Sequence, residues 1–395
     1  AFNGADAVIH LAGEPVGGRW TAEKKRAIYD SRILGTRTAL ASIAALTQKP
    51  ETFICASGAG FYGSRGDEAL DETSAAGTDF LSKVCVDWER EARTAKQLGL
   101  RSVQVRTAIA LGSGGALAQM ALPFKLGAGG PFGSGKQFVP WIHIDDLVEI
   151  YVFALRHSDL EGPINAVAPD YATNARFAQA IGAALHRPAV MPAPAFALSA
   201  VLGGFAETLL GSELVLPARL DDAGFRWKYP VLEDAANAVY PSASPWPVLQ
   251  YYESEQFLAS PQDDVFEFFS DAGNLESITP PSLNFTIRSK PRELHRGAQI
   301  AYDLRLHGMK VRWKTMIARW EPPYGFEDVQ LHGPYALWHH EHRFEPVPGG
   351  VMMKDRVRYA LPYYPFGNVA LGLVRSDVDK IFAFRRAAIE RRVAT

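Results

Sequence analysis

The chain has 395 residues, 47% of them hydrophobic and 21% charged, which excludes a disordered polymer and is too long for one ordinary core. Lys and Arg number 41 against 43 Asp and Glu, a formal net charge of −2, so no global charge draws it to nucleic acid or an anionic membrane. The two cysteines, Cys55 and Cys85, exclude a disulfide scaffold and CxxC metal or redox sites, and point to a reducing, cytoplasmic setting.

The chain opens Ala-Phe-Asn-Gly, without Met, and passes into the apolar run 7–13, which reads as a buried strand already in mid-fold; a segment ahead of Ala1 is expected. Residues 52–57 form a second strand ending in small residues. Helical spacing follows over 79–98, with Phe80, Val84, Trp88 and Ala92 on one stripe and Gly99 as C-cap. Residues 102–109 are the next strand. Strands alternating with helices imply βαβ units, a parallel sheet and ligands at the carboxyl ends of its strands. Asp146, in Asp145-Asp146, is read as a helix cap rather than half of an acid pair. Cys85 is read as a small buried hydrophobe. The uncharged run between Arg187 and Glu207 is broken by Pro188, Pro192 and Pro194. What remains falls short of the roughly 20 apolar residues of a membrane span, so a buried or capping helix is expected.

Residues 241–247, Pro-Ser-Ala-Ser-Pro-Trp-Pro, form a stiff linker. Beyond it the pattern changes to a strand at 250–257, a short helix at 263–270, and alternating runs at 298–307, 309–320, 326–332, 338–344 and 351–360. A long closing helix begins near 367 and carries Val374, Val378, Ile381 and Phe382 at helical spacing. This is an α+β module with a curved antiparallel sheet. In Trp338-His339-His340-Glu341-His342 only His340 and His342 share a strand face, and no third ligand stands nearby in sequence, so no metal site is expected. Arg385, Arg386, Arg391 and Arg392 complement the closing helix dipole.

Five stretches resemble a known family: His10-Leu11-Ala12-Gly13-Glu14-Pro15, Ser31-Arg32-Ile33-Leu34-Gly35-Thr36, Ala56-Ser57-Gly58-Ala59-Gly60-Phe61-Tyr62-Gly63, Arg106-Thr107-Ala108-Ile109-Ala110-Leu111-Gly112 and Trp141-Ile142-His143-Ile144-Asp145-Asp146-Leu147. Their order and spacing over nearly 240 residues resemble the atypical extended short-chain dehydrogenases/reductases, the NAD-dependent epimerase/dehydratase-like proteins with a C-terminal domain of unknown function. Residues 192–240 resemble that terminal extension, with the domain as a whole running from 1 to 240. The resemblance implies a doubly wound Rossmann-like parallel sheet, here incomplete at its N-terminus. It implies NADP or NAD as cofactor of the full-length protein and a small-molecule substrate. A strand–G-x-G-x-x-G–helix unit should open such a fold to hold the pyrophosphate, and none does. Weak or no dinucleotide binding is therefore expected of this chain.

In that superfamily a Tyr passes a proton, a Lys four residues later lowers its pKa and holds the ribose, and a Ser or Thr polarises the substrate oxygen. Here Asp79 occupies the Tyr place, Lys83 the Lys place, and Gly58, beside Ser57, the Ser/Thr place. The resemblance thus assigns catalysis to Lys83, with Ser57 and Tyr62 as stand-ins for the missing phenol, and cofactor binding to Leu11, Ala12, Gly13, Lys83 and Arg106.

Residues 248–395 resemble a START-like, polyketide-cyclase type helix-grip domain. The strand ending Phe257-Leu258-Ala259-Ser260-Pro261, the short helix and Asn274-Leu275-Glu276-Ser277-Ile278-Thr279-Pro280 carry that resemblance. It implies an apolar-ligand cavity between sheet and closing helix, lined by Leu304, Trp313 and Val378. Three functions stay open: an NAD(P)-dependent oxidoreductase or epimerase, a nucleotide-binding pseudoenzyme, and a lipid- or polyketide-type ligand carrier. Substrate and oligomeric state are not legible.

Overall fold

A computed structural model of the chain describes residues 2–240, 249–362 and 370–393. It divides into two compact units, Ala1–Trp246 and Pro247–Thr395. The expected linker at 241–247 and the start of the closing helix near 367 lie outside the described residues.

The first unit is Rossmann-like. Its parallel sheet has the order β1 (Ala7–His10), β2 (Thr52–Gly58), β3 (Arg101–Thr107) and β4 (Gly162–Ala166). Helices α1 (Ala22–Ala44) and α2 (Phe80–Arg93) pack on each other, with the Trp88 indole donating to Thr36 Oγ1 at 2.9 Å. Val84, Trp88 and Ala92 are buried as their spacing predicts. The thiol of Cys85 is buried and its pKa is pushed up to about 12 by desolvation, in keeping with a packing role. Past α2 a 3-10 turn ends at Gly99, in the left-handed conformation that glycine adopts without strain (φ 82°).

The interior of this sheet is not wholly apolar. Ser57 on β2 stands opposite Arg106 on β3, which stands opposite Asn165 on β4, so three polar residues form a row across the strands.

Two local expectations are corrected. The cap of helix α3 (Ile144–Arg156) is His143, whose ring Nδ1 accepts from the Asp145 amide at 3.1 Å. Asp146 instead turns inward and accepts from the amides of Lys228 (2.7 Å) and Tyr229 (2.9 Å), holding that loop to the unit. The helix Ala195–Leu202 is not buried: none of its residues is, and Phe196 and Val201 are 79% and 67% exposed. Among the described residues no helix is long and apolar enough to cross a membrane.

The second unit is an antiparallel seven-stranded sheet. Its strands are β5 (Gln250–Leu258), β6 (Thr286–Ser289), β7 (Gln299–Leu306), β8 (Met309–Glu321), β9 (Gly325–His332), β10 (Leu337–Val347) and β11 (Gly350–Ala360), in the order β6-β7-β8-β9-β10-β11-β5. Helix α4 (Gln262–Ser270) precedes β6, and α5 (Leu371–Val393) closes the unit. Period-two alternation gives the sheet one buried face. Val265, Phe269, Phe344 and Ile389 share one buried cluster on it. Phe382 of α5 packs its ring on Tyr252 of β5 at 4.4 Å.

Candidate functional sites

In the first unit the polar row is part of a sealed network. Arg106 donates from Nε and Nη2 to the two carboxylate oxygens of Glu89 on α2, at 2.7 and 2.9 Å, and from Nη1 to the Tyr62 hydroxyl at 2.9 Å. Ser57 Oγ donates to Glu89 at 2.8 Å, and Tyr62 passes its own proton towards Asn165 Oδ1 at 2.7 Å. The Arg106 guanidinium also lies 3.4 Å from the centroid of Phe61. Tyr62, Arg106 and Glu89 are at most 2% exposed, and burial pushes the Tyr62 phenol up. Ser57, Tyr62 and Arg106 are therefore brought together, but inside the sheet rather than at an open surface.

Lys83 is elsewhere. It is exposed on the first turn of α2 and has no side-chain hydrogen bond or ion pair among the described residues. Asp79, in the place of the family Tyr, is the N-cap of that helix: its carboxylate accepts from the Ser82 amide at 2.9 Å. Asp79 also borders a cleft of about 210 Å³ that runs between Gly60 and Leu81 on one side and Gly204 to Glu213 on the other. The half-buried Glu213 lines the same cleft. Loss of water around its carboxyl, and secondly the charge of Asp79, raise its pKa to about 8. Nothing in the sequence singles out Glu213, because its partner lies 134 positions earlier.

Leu11, Ala12 and Gly13 are exposed at the carboxyl end of β1, where a parallel sheet offers a ligand its surface. The spacing G-x-G-x-x-G does occur further along the chain, at Gly58, Gly60 and Gly63, but not at the opening of the fold. It does not open a helix. A 3-10 turn, Ala59–Phe61, follows β2. A Cβ at Gly60 would sit 3.3 Å from Leu81, and one at Gly63 (φ +65°) 2.8 Å from the Asp79 carboxylate. These glycines let α2 approach the strand end, so they are not a pyrophosphate loop.

The second unit holds a cavity of about 150 Å³ between sheet and α5. Leu304 and Trp313 line it as expected, together with Trp338 and Phe382. Val378 does not; it packs into the core with Val357, Tyr359 and Phe382. One end of the cavity is polar, formed by Asp328, His340, His342 and Arg385. Among the described residues, the buried Arg385 Nε and Trp313 Nε1 groups have no hydrogen-bond partner. A third group beside the two histidines was missed in the sequence. The β9–β10 register sets Asp328 directly opposite His340, and the β10–β11 register sets Asp355 opposite His342. Strand pairing, not spacing along the chain, assembles this cluster.

Known proteins match the first unit. Residues 1–167 match the NAD dependent epimerase/dehydratase family, and residues 193–239 a domain of unknown function, DUF1731. An epimerase family protein SDR39U1 homolog, chloroplastic, of Arabidopsis thaliana is 39% identical over 239 residues, 60% of this chain and 69% of that protein. The epimerase family protein YfhF of Bacillus subtilis is 37% identical over 231 residues, 58% of this chain and 76% of that protein. The crystal structure of human epimerase family protein SDR39U1 with NADPH shares 38% identity at a TM-score of 0.57, covering 60% of this chain and 81% of that one. The parallel sheet and the identity over most of these relatives' length agree: the chain belongs to the NAD dependent epimerase/dehydratase family.

Proposed function

We propose that residues 1–240 serve NAD(P)-linked chemistry on a small molecule held in the cleft beside α2, and that residues 248–395 are a START-like helix-grip domain for an apolar ligand. The relative crystallised with NADPH supports NADP(H) as the cofactor. The observation that carries the catalytic reading is the placing of Glu213 and Asp79 in the wall of one cleft that no tyrosine lines, where loss of water and the Asp79 charge raise the Glu213 pKa to about 8. At neutral pH Glu213 can hand its proton to a substrate oxygen, the task a Tyr performs in the related enzymes. Asp79 holds the first turn of α2 and keeps the Glu213 proton in place by its charge. Lys83 supplies a cation for the ribose hydroxyls. A bound nicotinamide would supply or remove the hydride.

The test uses the 395-residue chain and a longer form that adds a strand–G-x-G-x-x-G–helix unit ahead of Ala1. Calorimetry with NADPH and NADH should show micromolar binding by the longer form only. NADPH consumption is then followed with a panel of aldehydes, ketones and keto sugars. Turnover that Glu213→Gln removes while nucleotide affinity is kept supports the reading. Nucleotide binding with no turnover across the panel selects a pseudoenzyme instead. That outcome is favoured by one feature, the helix-capping carboxylate where the family has its phenol.

A further inference from the structure

We propose that Asp328, His340 and His342 form a divalent transition-metal site at the polar end of the cavity in the second unit, with Asp355 orienting the two imidazoles. The candidate ligand atoms lie within 4.8 Å of one another. Asp328 Oδ2 is 3.6 Å from His340 Nδ1 and 3.5 Å from His342 Nε2. These distances are long for hydrogen bonds. They suit a shared cation, because two donors each about 2.1 Å from zinc at tetrahedral angles lie roughly 3.4 Å apart. The other carboxylate oxygen is already engaged, 3.0 Å from Thr315 Oγ1, which leaves Oδ2 to face the histidines.

The opposite edges of both rings meet a single oxygen. Asp355 Oδ1 lies 3.2 Å from His340 Nε2 and 2.7 Å from His342 Nδ1. A carboxylate behind a histidine fixes the tautomer whose free nitrogen faces the metal, the usual outer support of such ligands. His340, His342 and Asp355 are 3%, 1% and 5% exposed, and the Asp328 side chain is 18% exposed, so the imidazoles are buried and the carboxylate ligand keeps some access to solvent.

Three protein donors leave a coordination position open, and the cluster faces the cavity. With neutral imidazoles, two carboxylates and a dication cancel, and the nearby Arg385 adds one positive charge. An anionic oxygen ligand, such as a carboxylate on an otherwise apolar molecule, balances that charge at the open position.

The 395-residue chain, stripped with a chelator and dialysed, is titrated with Zn²⁺ by calorimetry and with Co²⁺ by visible absorption. One site per chain, with cobalt d–d bands of four- or five-coordinate intensity, is expected. His342→Gln and Asp328→Asn should each weaken it by about 100-fold or more, and Asp355→Asn by roughly 10- to 100-fold. His332→Gln, on the exposed end of β9, should change nothing. Far-UV circular dichroism checks that each variant is folded. Absence of a stoichiometric site in the unsubstituted chain overturns the proposal. So does a site that survives His342→Gln and Asp328→Asn in folded protein.

Discussion

Arg106 and Glu89 meet in a two-pronged ion pair inside the sheet, 2% and 1% exposed, with contacts of 2.7 and 2.9 Å. A pair so far from water contributes little beyond its own desolvation, but losing one member strands the other. Arg106→Met should destabilise the first unit by about 3–5 kcal/mol in urea unfolding. Glu89→Leu combined with Arg106→Met should lose less than the sum of the two single losses. Strict additivity would mean that the two side chains are not coupled as described.

Glu213 gives the first unit a pH dependence of definite sign. Its folded pKa of about 8 lies above the ordinary value near 4.5, so between those values the folded chain holds a proton that the unfolded chain releases. Stability from this group is complete below about pH 4.5 and declines as pH rises through about 8. Glu213→Gln should flatten that decline, read as a smaller loss of Tm between pH 6 and pH 9. Asp79→Asn should shift the decline to lower values than Glu213 shows in the unsubstituted chain. An unchanged Tm profile in Glu213→Gln would remove the carboxyl from its assigned role.

Lys83→Ala, made in the longer nucleotide-binding form, should weaken NADPH binding by roughly 1.5–3 kcal/mol, the value of a charged hydrogen bond. Asp79→Ala should leave affinity nearly unchanged and cost about 1 kcal/mol of stability as a lost N-cap. Calorimetry and urea unfolding on both variants separate the two effects. Equal affinity of Lys83→Ala and the unsubstituted protein would show that Lys83 is a solvated helix lysine.

Residues 248–395, expressed alone, should fold and bind a fluorescent fatty-acid or polyaromatic probe saturably. Leu304→Trp fills the cavity from β7 and should abolish binding with the fold intact. Val378→Ala, in the core beside Val357 and Tyr359, should lower stability by roughly 1–3 kcal/mol and leave affinity largely intact. A stable domain that binds no probe leaves a packed interior without a ligand.

The alternation of strands and helices to residue 240, and the switch to hairpin strands beyond 250, were legible because periodicity is a local signal. So were the helical stripe of α2, the glycine at 99 beyond it, and the positions Leu304 and Trp313 on the inner face of the second sheet. The Glu213–Asp79 and Asp328–His340 relationships were not. The first depends on a loop returning across the unit, the second on the β9–β10 register. Asp146 misled for a related reason: a carboxylate near a helix start reads as a cap, while His143 already supplies one and loop 228–229 claims the acid. Val378 was placed on the cavity wall by helical spacing alone, which gives a face but not its neighbour across the gap.

The row Ser57–Arg106–Asn165 has a consequence for how the sheet assembles. The strands it joins are far apart in the chain, with Ser57, Arg106 and Asn165 brought level by the pairing. A slip of β3 by one position would swing Arg106 to the other face of the sheet and away from Glu89. The mispaired strand would leave a bare guanidinium among apolar neighbours and a bare carboxylate on α2, a cost that no exchange of Val for Ile imposes. Charge, more than shape, therefore tells these parallel strands which pairing is the right one.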